Sequence, residues 1–319
     1  MPEAFGILAP RYVLGEEECK VDTLASRKAV LERYKMPDRH DLWGWDAYRK
    51  THRNRTELAH DSARATLAQG GVAAADIDAL IVCCGDGLNY YAQNRFVSEL
   101  SERLDLRCDF VAWIGGAGCA SPFSAVKIAR ALVVGGAHRN VLVITVDKVD
   151  DDDARFQRYG VFSDGACSFV ARGAGEIDYA VTGVEASTST VSLRDGGQDL
   201  AEKCRLIQAV FKRLAGAATF PFAGSAFFGS NVFLPIQQLE LSVMPVKGLV
   251  AYRRNTTRYG HCSGGDPFIN LVDYYAEADD NAPATSVMAS SAYGHFGAIL
   301  LERRLLERRD AAAGVSPAT

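Results

Sequence analysis

The chain has 319 residues, 48% of them hydrophobic and 23% charged, with a formal net charge of −4. That length suits two domains or one duplicated domain, the balance is that of an ordinary globular protein, and the mild acidity argues against nucleic-acid binding. No apolar run reaches the roughly 18 residues of a membrane span, no secretory leader is expected, and none of the eight cysteines forms a C-x-x-C pair, so a reducing cytoplasm without disulfides or structural zinc is the expected setting.

Residues 4–14 predict a strand and turn, and residues 22–36 a helix whose apolar side is Leu24, Val30, Leu31 and Tyr34. Trp43 and Trp45, in an otherwise polar stretch, are expected to anchor a loop to the body. Arg49, Lys50, His52, Arg53 and Arg55 follow as a basic cluster. It is either a solvated face or a docking patch for a phosphate-bearing substrate arm or an acidic carrier protein. Residues 57–69 predict a helix closed by Gly70-Gly71. Residues 79–84 form a continuous apolar run, the mark of a buried strand, closed by Gly85-Asp86-Gly87. A helix over 93–104, a strand over 110–113, a helix from Phe123 to Val134 ending at Gly135-Gly136, and a second buried strand over 141–146 come next. Asp150 to Asp153 lacks the alternating ligands and glycine of a calcium loop and reads as a solvated loop.

Residues 162–166 predict a tight turn into a strand over 167–170, with Asp164 and Gly165 structural. Residues 171–175 are the expected joint, and Glu176 to Val181 opens a second half. That half reads as a helix over 198–215, a strand within 226–234, a helix or loop over 235–246 and a polar, functional loop over 252–265. A helix over 267–275 and strands over 286–290 and 298–301 around a turn at 293–297 follow, and the tail after Glu307 is expected to fray. Alternating strands and helices argue for an α/β protein with mostly parallel sheets. The similar endings of the two halves point to a duplication, with halves at 1–172 and 173–319, although residue identity shows no repeat.

The stretch from Trp113 to Pro122 reads as a strand end, a run of small residues, a cysteine and a buried helix. Ser121 is the expected N-cap and Pro122 the first helical residue. Only Ser124, Lys127 and Arg130, three apart, interrupt the apolar surface that follows, leaving a narrow polar stripe. Cys119 then stands at a helix N-terminus, where free N–H groups and the positive dipole end favour an anion such as a thiolate. Position alone leaves two readings, a nucleophile or a buried structural cysteine.

With these stretches in place, the chain resembles the ketoacyl synthase III branch of the thiolase-fold condensing enzymes, from residue 57 to residue 300. The resemblance is carried by residues 75–82, by Gly118-Cys119-Ala120-Ser121 with its helix, by residues 140–149 and 162–166, and by Tyr259-Gly260-His261-Cys262-Ser263. It implies an α/β thiolase fold of two similar halves in a five-layer αβαβα body, and a homodimer. It also implies that Cys119 is a nucleophile accepting an acyl group from a thioester of coenzyme A or acyl carrier protein.

The second half departs from the family pattern. Where the family carries a His after Pro, this chain reads Leu234-Pro235-Ile236-Gln237-Gln238, and Ile236 has no hydrogen bond to give. Where the family carries an Asn after Gly, His261 stands; the 291–297 loop has fewer glycines and adds His295. In the family, His and Asn together stabilise the enolate formed when a malonyl thioester loses CO2, which takes two donors on one oxyanion. Acyl transfer needs less: a Cys119 thiolate, an oxyanion hole of backbone N–H groups at Cys119 and in the 291–297 loop, and one general base. That base is expected to be His261, supported by His295. His40, His52, His60 and His138 read as surface or structural. Arg49, Arg53, Arg55, Arg253 and Arg254 are the candidates for a phosphate or carrier-protein patch.

The expected function is therefore an acyltransferase of specialised-metabolite biosynthesis. It would load Cys119 from acyl-CoA or acyl carrier protein and pass the acyl group to a small-molecule hydroxyl or amine. Coenzyme A or phosphopantetheine enters as the substrate thioester; no tightly bound cofactor, metal, nucleic acid or membrane is expected. Two alternatives stand beside it: decarboxylative carbon–carbon condensation of the 3-oxoacyl-(acyl-carrier-protein) synthase III type, and a non-catalytic partner subunit of a ketosynthase. The retained Cys119 and the basic cluster argue against the last.

Overall fold

Ten strands join into one sheet in a computed structural model that describes residues 5–85, 88–173, 175–194, 200–279 and 281–304. Asp86 and Gly87 of the expected glycine turn, residue 174 of the expected joint, residues 198–199 of the expected helix and the tail after Glu307 lie outside the described residues. The strands are β1 (Gly6–Leu14), β2 (Ala79–Cys83), β3 (Phe110–Ile114), β4 (Asn140–Asp147) and β5 (Gly165–Arg172), then β6 (Tyr179–Thr188), β7 (Ala226–Phe228), β8 (Val250–Ala251), β9 (Thr285–Ala292) and β10 (His295–Arg303). Their order across the sheet is β8-β7-β9-β10-β6-β1-β5-β4-β2-β3.

Outward from the seam between β1 and β6, the two sides repeat. One runs β1-β5-β4-β2-β3 and the other β6-β10-β9-β7-β8, each with two antiparallel pairings followed by two parallel ones. A duplication absent from residue identity is thus present in the topology. The seam itself is two antiparallel residue pairs, Gly6 with Ala180 and Ile7 with Tyr179. Five of the nine pairings are antiparallel, which corrects the expectation of mostly parallel sheets. Each side turns back on itself into its last strand without a helical crossover, and such a return is antiparallel.

Six longer helices complete the body: α1 (Arg55–Gly70), α2 (Tyr90–Leu104), α3 (Ser121–Val134), α4 (Leu200–Ala217), α5 (Leu234–Val243) and α6 (Asp266–Glu277). Strand alternation sorts the packing. In β2, Ala79, Ile81 and Cys83 face an inner core with Phe123 and Val126 of α3 and Phe268 and Ile269 of α6. Leu80 and Val82 face outward onto Leu58 and Leu67 of α1 and Phe96 and Leu100 of α2. On the other side Met288 points inward, and Val287 and Ala289 meet Ile207, Val210 and Phe211 of α4. The layers are the expected αβαβα.

Local sequence explains the starts of these helices. Asn54 and Glu57 close a capping box on α1, and Gly71 ends it in the left-handed conformation. Helices α3 and α6 begin alike, with a proline in the first turn after a short 3-10 turn, Gly118–Ala120 and Ser263–Gly265. Ser121 is therefore the first helical residue and Ala120 the cap, because the 3-10 turn already brings Ala120 to near-helical dihedrals whereas a capping serine needs an extended backbone. The narrow polar stripe expected on α3 is wider and partly apolar, since Ile128 and Val134 are also exposed. The helix expected over 22–36 is confined to Arg27–Arg33, with Leu24 buried before it and Tyr34 exposed after it.

Trp45 is buried and packs on Trp43, Phe156 and Phe233, so the tryptophan pair does tie its loop to the body. The Asp150–Asp153 run is more than a solvated loop. Asp150 pairs with Arg55, and Asp152 takes both Lys50 and the buried Arg155, whose guanidinium also grips Asp164 through two bonds of 2.9 Å. Among the described residues, no helix is long and apolar enough to cross a membrane.

Candidate active site

Cys119 lies in the 3-10 turn ahead of α3, and His261 lies just before the matching turn ahead of α6. The two turns face each other at the middle of the body, and glycine lets them come close. A Cβ on Gly264 would stand 2.7 Å from Pro122 Cγ and 3.3 Å from the Cys119 carbonyl oxygen. Gly118, at φ +50°, similarly leaves room for Ala292 of β9. The result puts Cys119 Sγ 3.4 Å from His261 Nε2 and 3.4 Å from Ser263 Oγ.

His261 is fixed from behind. Its backbone N–H donates to the Val161 carbonyl at 2.7 Å and its own carbonyl accepts from Ser163 at 2.9 Å. Its Nδ1 meets Asp266 Oδ2 at 2.5 Å. Asp266, fully buried, also accepts from the backbone N–H groups of Asn231 and Cys262, each at 2.6 Å. Burial opposes a charged ring, but the Asp266 carboxylate and then the Cys119 sulfur outweigh it and hold the His261 pKa well above its ordinary value. The neighbouring Cys262 thiol is pushed up by burial and then by Asp266, which leaves Cys119 as the thiol beside the imidazole.

Sulfur and imidazole open into a cavity of about 470 Å³. Its lining includes the apolar Phe162, Val232, Ile236 and Leu239 and the charged Asp147, Lys148, Arg158, Lys203 and Glu240. Glu240 is buried, 2.6 Å from Lys203 Nζ, and accepts from Ser291 at 2.7 Å. Tyr159 and Tyr293, both in the cavity lining, meet edge to face with their centroids 6.4 Å apart.

The sequence-predicted residues divide sharply. Cys119 and His261 come together, and Ile236 lines the same cavity. His295 does not: as the first residue of β10 it turns Nδ1 to Thr188 Oγ1 at 3.0 Å and is absent from the cavity wall. Burial lowers its pKa, partly offset by the Gly116 backbone, and its place is in support of the loops rather than at the sulfur.

The five arginines are also elsewhere. Arg49 pairs with Glu18 at 2.6 Å, Arg53 with Glu16 and Asp61, Arg55 with Asp150, and Arg254 with Glu277, while Arg253 donates to Gln238. None lines the cavity, and each has an acceptor in the chain. The cations that do line it are Lys148, Arg158 and Lys203, from three separated segments. Sequence reasoning also passed over Asp266, Ser263 and Tyr159. Asp266 did leave a signal, an acid directly before Pro267 at the end of a glycine-rich polar loop.

No family model and no curated protein matches this sequence. Solved structures do match. A variant of OleA from Xanthomonas campestris is 13% identical with a TM-score of 0.75, the alignment covering 94% of this chain and 99% of that one. The 3-oxoacyl-[acyl-carrier-protein] synthase III of Aquifex aeolicus is 15% identical with a TM-score of 0.69, over 93% and 99% of the two chains. ChlB3, described as an acyltransferase, is 16% identical with a TM-score of 0.73, over 94% and 98%. At such identities the likeness is one of architecture: the chain has the thiolase fold in the form taken by ketoacyl synthase III-like condensing enzymes.

Proposed function

We propose that this protein is an acyltransferase that carries its acyl group as a thioester on Cys119. The observation that carries the reading is the hydrogen-bonded chain Cys119–His261–Asp266, built from both halves and opening into one cavity. A protonated His261 stabilises the Cys119 thiolate. The thiolate attacks the carbonyl of an acyl thioester, the C–S bond to the donor breaks, and the departing thiol takes the proton from His261. The ring is now neutral, and the sulfur that helped hold its proton is esterified. Neutral His261 accepts the proton of an incoming hydroxyl or amine as that group attacks the acyl carbon. Collapse then expels the Cys119 thiolate and restores the ion pair.

The donor is the thioester of coenzyme A or of phosphopantetheine on an acyl carrier protein, with no cofactor held between turnovers. OleA has been solved with lauroyl-CoA, and Arg158 in the cavity lining offers positive charge for a donor's phosphates. The acceptor is a small molecule. Ile236 favours acyl transfer over decarboxylative condensation, since it fills a stretch of cavity wall with an aliphatic side chain where an enolate would need a second donor. The eight free thiols suit a reducing cytoplasm. A second copy of the chain is the expected cover for the free edge of β3 and the α3 face, where Val111, Ile128 and Val134 are 45%, 36% and 45% exposed; sedimentation would show a dimer, and a monomer would remove this part of the reading.

The test is intact-protein mass spectrometry after incubation with acyl-CoA and acyl-carrier thioesters, the wild type beside Cys119→Ala. An adduct on the wild type alone supports the reading and its mass names the donor. Extension of that adduct by malonyl thioester with CO2 release would turn it to the condensing alternative. No adduct from any donor would leave the partner-subunit alternative standing instead.

A further inference from the structure

Backbone N–H groups at Cys119 and in the 291–297 loop are the expected donors to the oxyanion of acyl transfer, and a side-chain donor beside them would strengthen the hole. Tyr159 answers to the requirement. Gln157 pairs with Gly160, so Arg158 and Tyr159 are the two central residues of a tight hairpin that overhangs the cavity. The hairpin is held at both ends. Phe156 is buried against Trp45 and Phe233, and the Val161 carbonyl accepts the His261 N–H. The Tyr159 carbonyl itself accepts from Phe233 N–H at 2.8 Å. Its ring is edge-on to His261, with centroids 6.4 Å apart, and to Phe162 at 5.8 Å. A phenol set by this much surrounding structure has a fixed position, as a preorganised donor must.

Three properties of the hydroxyl agree. It lines the same cavity as Cys119, and among the described residues it has no hydrogen-bond partner. Burial, and after it the charge at Cys119, push its pKa up, so the group keeps its proton throughout the working range. It therefore donates a hydrogen bond and never competes with His261 for a proton. Its ring packs edge-on against the imidazole whose Nε2 is 3.4 Å from the Cys119 sulfur, which makes the phenol a neighbour of the reacting centre.

We propose that Tyr159 is a catalytic residue that donates a hydrogen bond to the oxyanion of the tetrahedral intermediates, both in loading Cys119 and in release to the acceptor. No proton is transferred to or from it; the bond tightens as the carbonyl oxygen becomes charged and relaxes when the carbonyl re-forms. The proposal rests on the acyl-transfer reading above.

The experiment exploits a difference between two reactions of the same sulfur. Alkylation of Cys119 by iodoacetamide builds no oxyanion, whereas acylation by p-nitrophenyl acetate does, and neither reagent depends on carrier recognition. Tyr159→Phe keeps the ring and its packing. The variant is expected to alkylate at the wild-type rate and to acylate about 10²–10³-fold more slowly, with KM for the ester changed by less than about threefold. Tyr159→Ala, which also removes the ring, serves as the structural control: a kcat loss in Phe equal to that in Ala assigns the effect to the hydroxyl. Unchanged acylation in Tyr159→Phe overturns the proposal. A parallel fall in alkylation also overturns it, because the tyrosine would then act through the Cys119–His261 pair. Failure of the wild type to acylate, with alkylation intact, removes the acyl-transfer reading and this proposal together.

Discussion

Asp266→Asn removes one charge and almost no volume, and its effect on the site can be worked from geometry. The wild-type carboxylate sits 2.5 Å from His261 Nδ1, with both partners buried. At an effective dielectric near 20, unit charges about 4 Å apart interact by roughly 4 kcal/mol, enough to hold the ring in its charged form. Relaxation returns part of this, and the His261 pKa is expected to fall once the Asp266 charge is removed. The imidazolium is what stabilises a Cys119 thiolate, so its loss has two consequences. The thiolate loses its counter-ion, and the charged ring disappears at lower pH. The pH window of the ion pair therefore narrows. The assay is the rate of iodoacetamide alkylation at Cys119, mapped by peptide mass because the other cysteines are free as well. The rate–pH profile is expected to move with the loss of the imidazolium, alkylation near neutrality to slow, and acyl transfer to drop by about 10²–10⁴-fold.

Stability carries the same signature. Because folding raises the His261 pKa, the pair's contribution is full below the ordinary imidazole value of about 6.5 and is lost as pH rises through the raised value. The gap in urea midpoint between wild type and Asp266→Asn should therefore shrink toward alkaline pH. An unshifted alkylation profile in a variant with wild-type circular dichroism would refute the electrostatic coupling.

Other substitutions test other parts of the molecule. Asp164→Asn breaks a buried pair with Arg155 and weakens the acceptor for the Thr51 and Val149 N–H groups; a loss of about 3–5 kcal/mol is expected from the urea midpoint, and a loss below about 1 would show that the cluster is not integral to the fold. Gly264→Ala drives a methyl into Pro122, so a drop of about 1–3 kcal/mol should accompany slower Cys119 alkylation, and normal values of both would mean the turns do not approach as closely as described. His295→Ala should load acyl groups within about threefold of wild type, while His261→Ala should fall by at least about 100-fold; equal losses would return His295 to the chemistry.

What the sequence revealed follows from how local each signal is. The strands at 79–83 and 140–147 were legible because a strand buried on both faces is a continuous apolar run. His261 was legible only through its position in a family segment, and its carboxylate partner was not, because the five-residue offset to Asp266 spans a turn whose path only the fold defines. The arginines misled for a related reason. Clustering in sequence suggested a patch, but Glu16, Glu18, Asp61, Asp150 and Glu277 arrive from distant segments to neutralise it. His295 stands in a loop motif by sequence, yet the strand begins at that residue and pairs it with Thr188. The topological repeat was hidden because packing in each half constrains the size and direction of side chains far more than their identity.

The thin seam between the halves bears on how the molecule is made. The five strands of the first half are complete at Arg172 and hydrogen-bond to the second half's strands at the two-pair junction with β6, while their inner faces pack on Phe268 and Ile269 of α6. A chain emerging from synthesis can therefore pair its first five strands while His261 is still untranslated, and the inner core around Cys119 closes only when α6 arrives. Until the second sheet docks, that sulfur is an ordinary thiol with no imidazole beside it. Its reactivity at a fixed pH is then a clock for the meeting of the two halves, separable from the folding of either, and a pulse of alkylating agent during refolding would read the time directly.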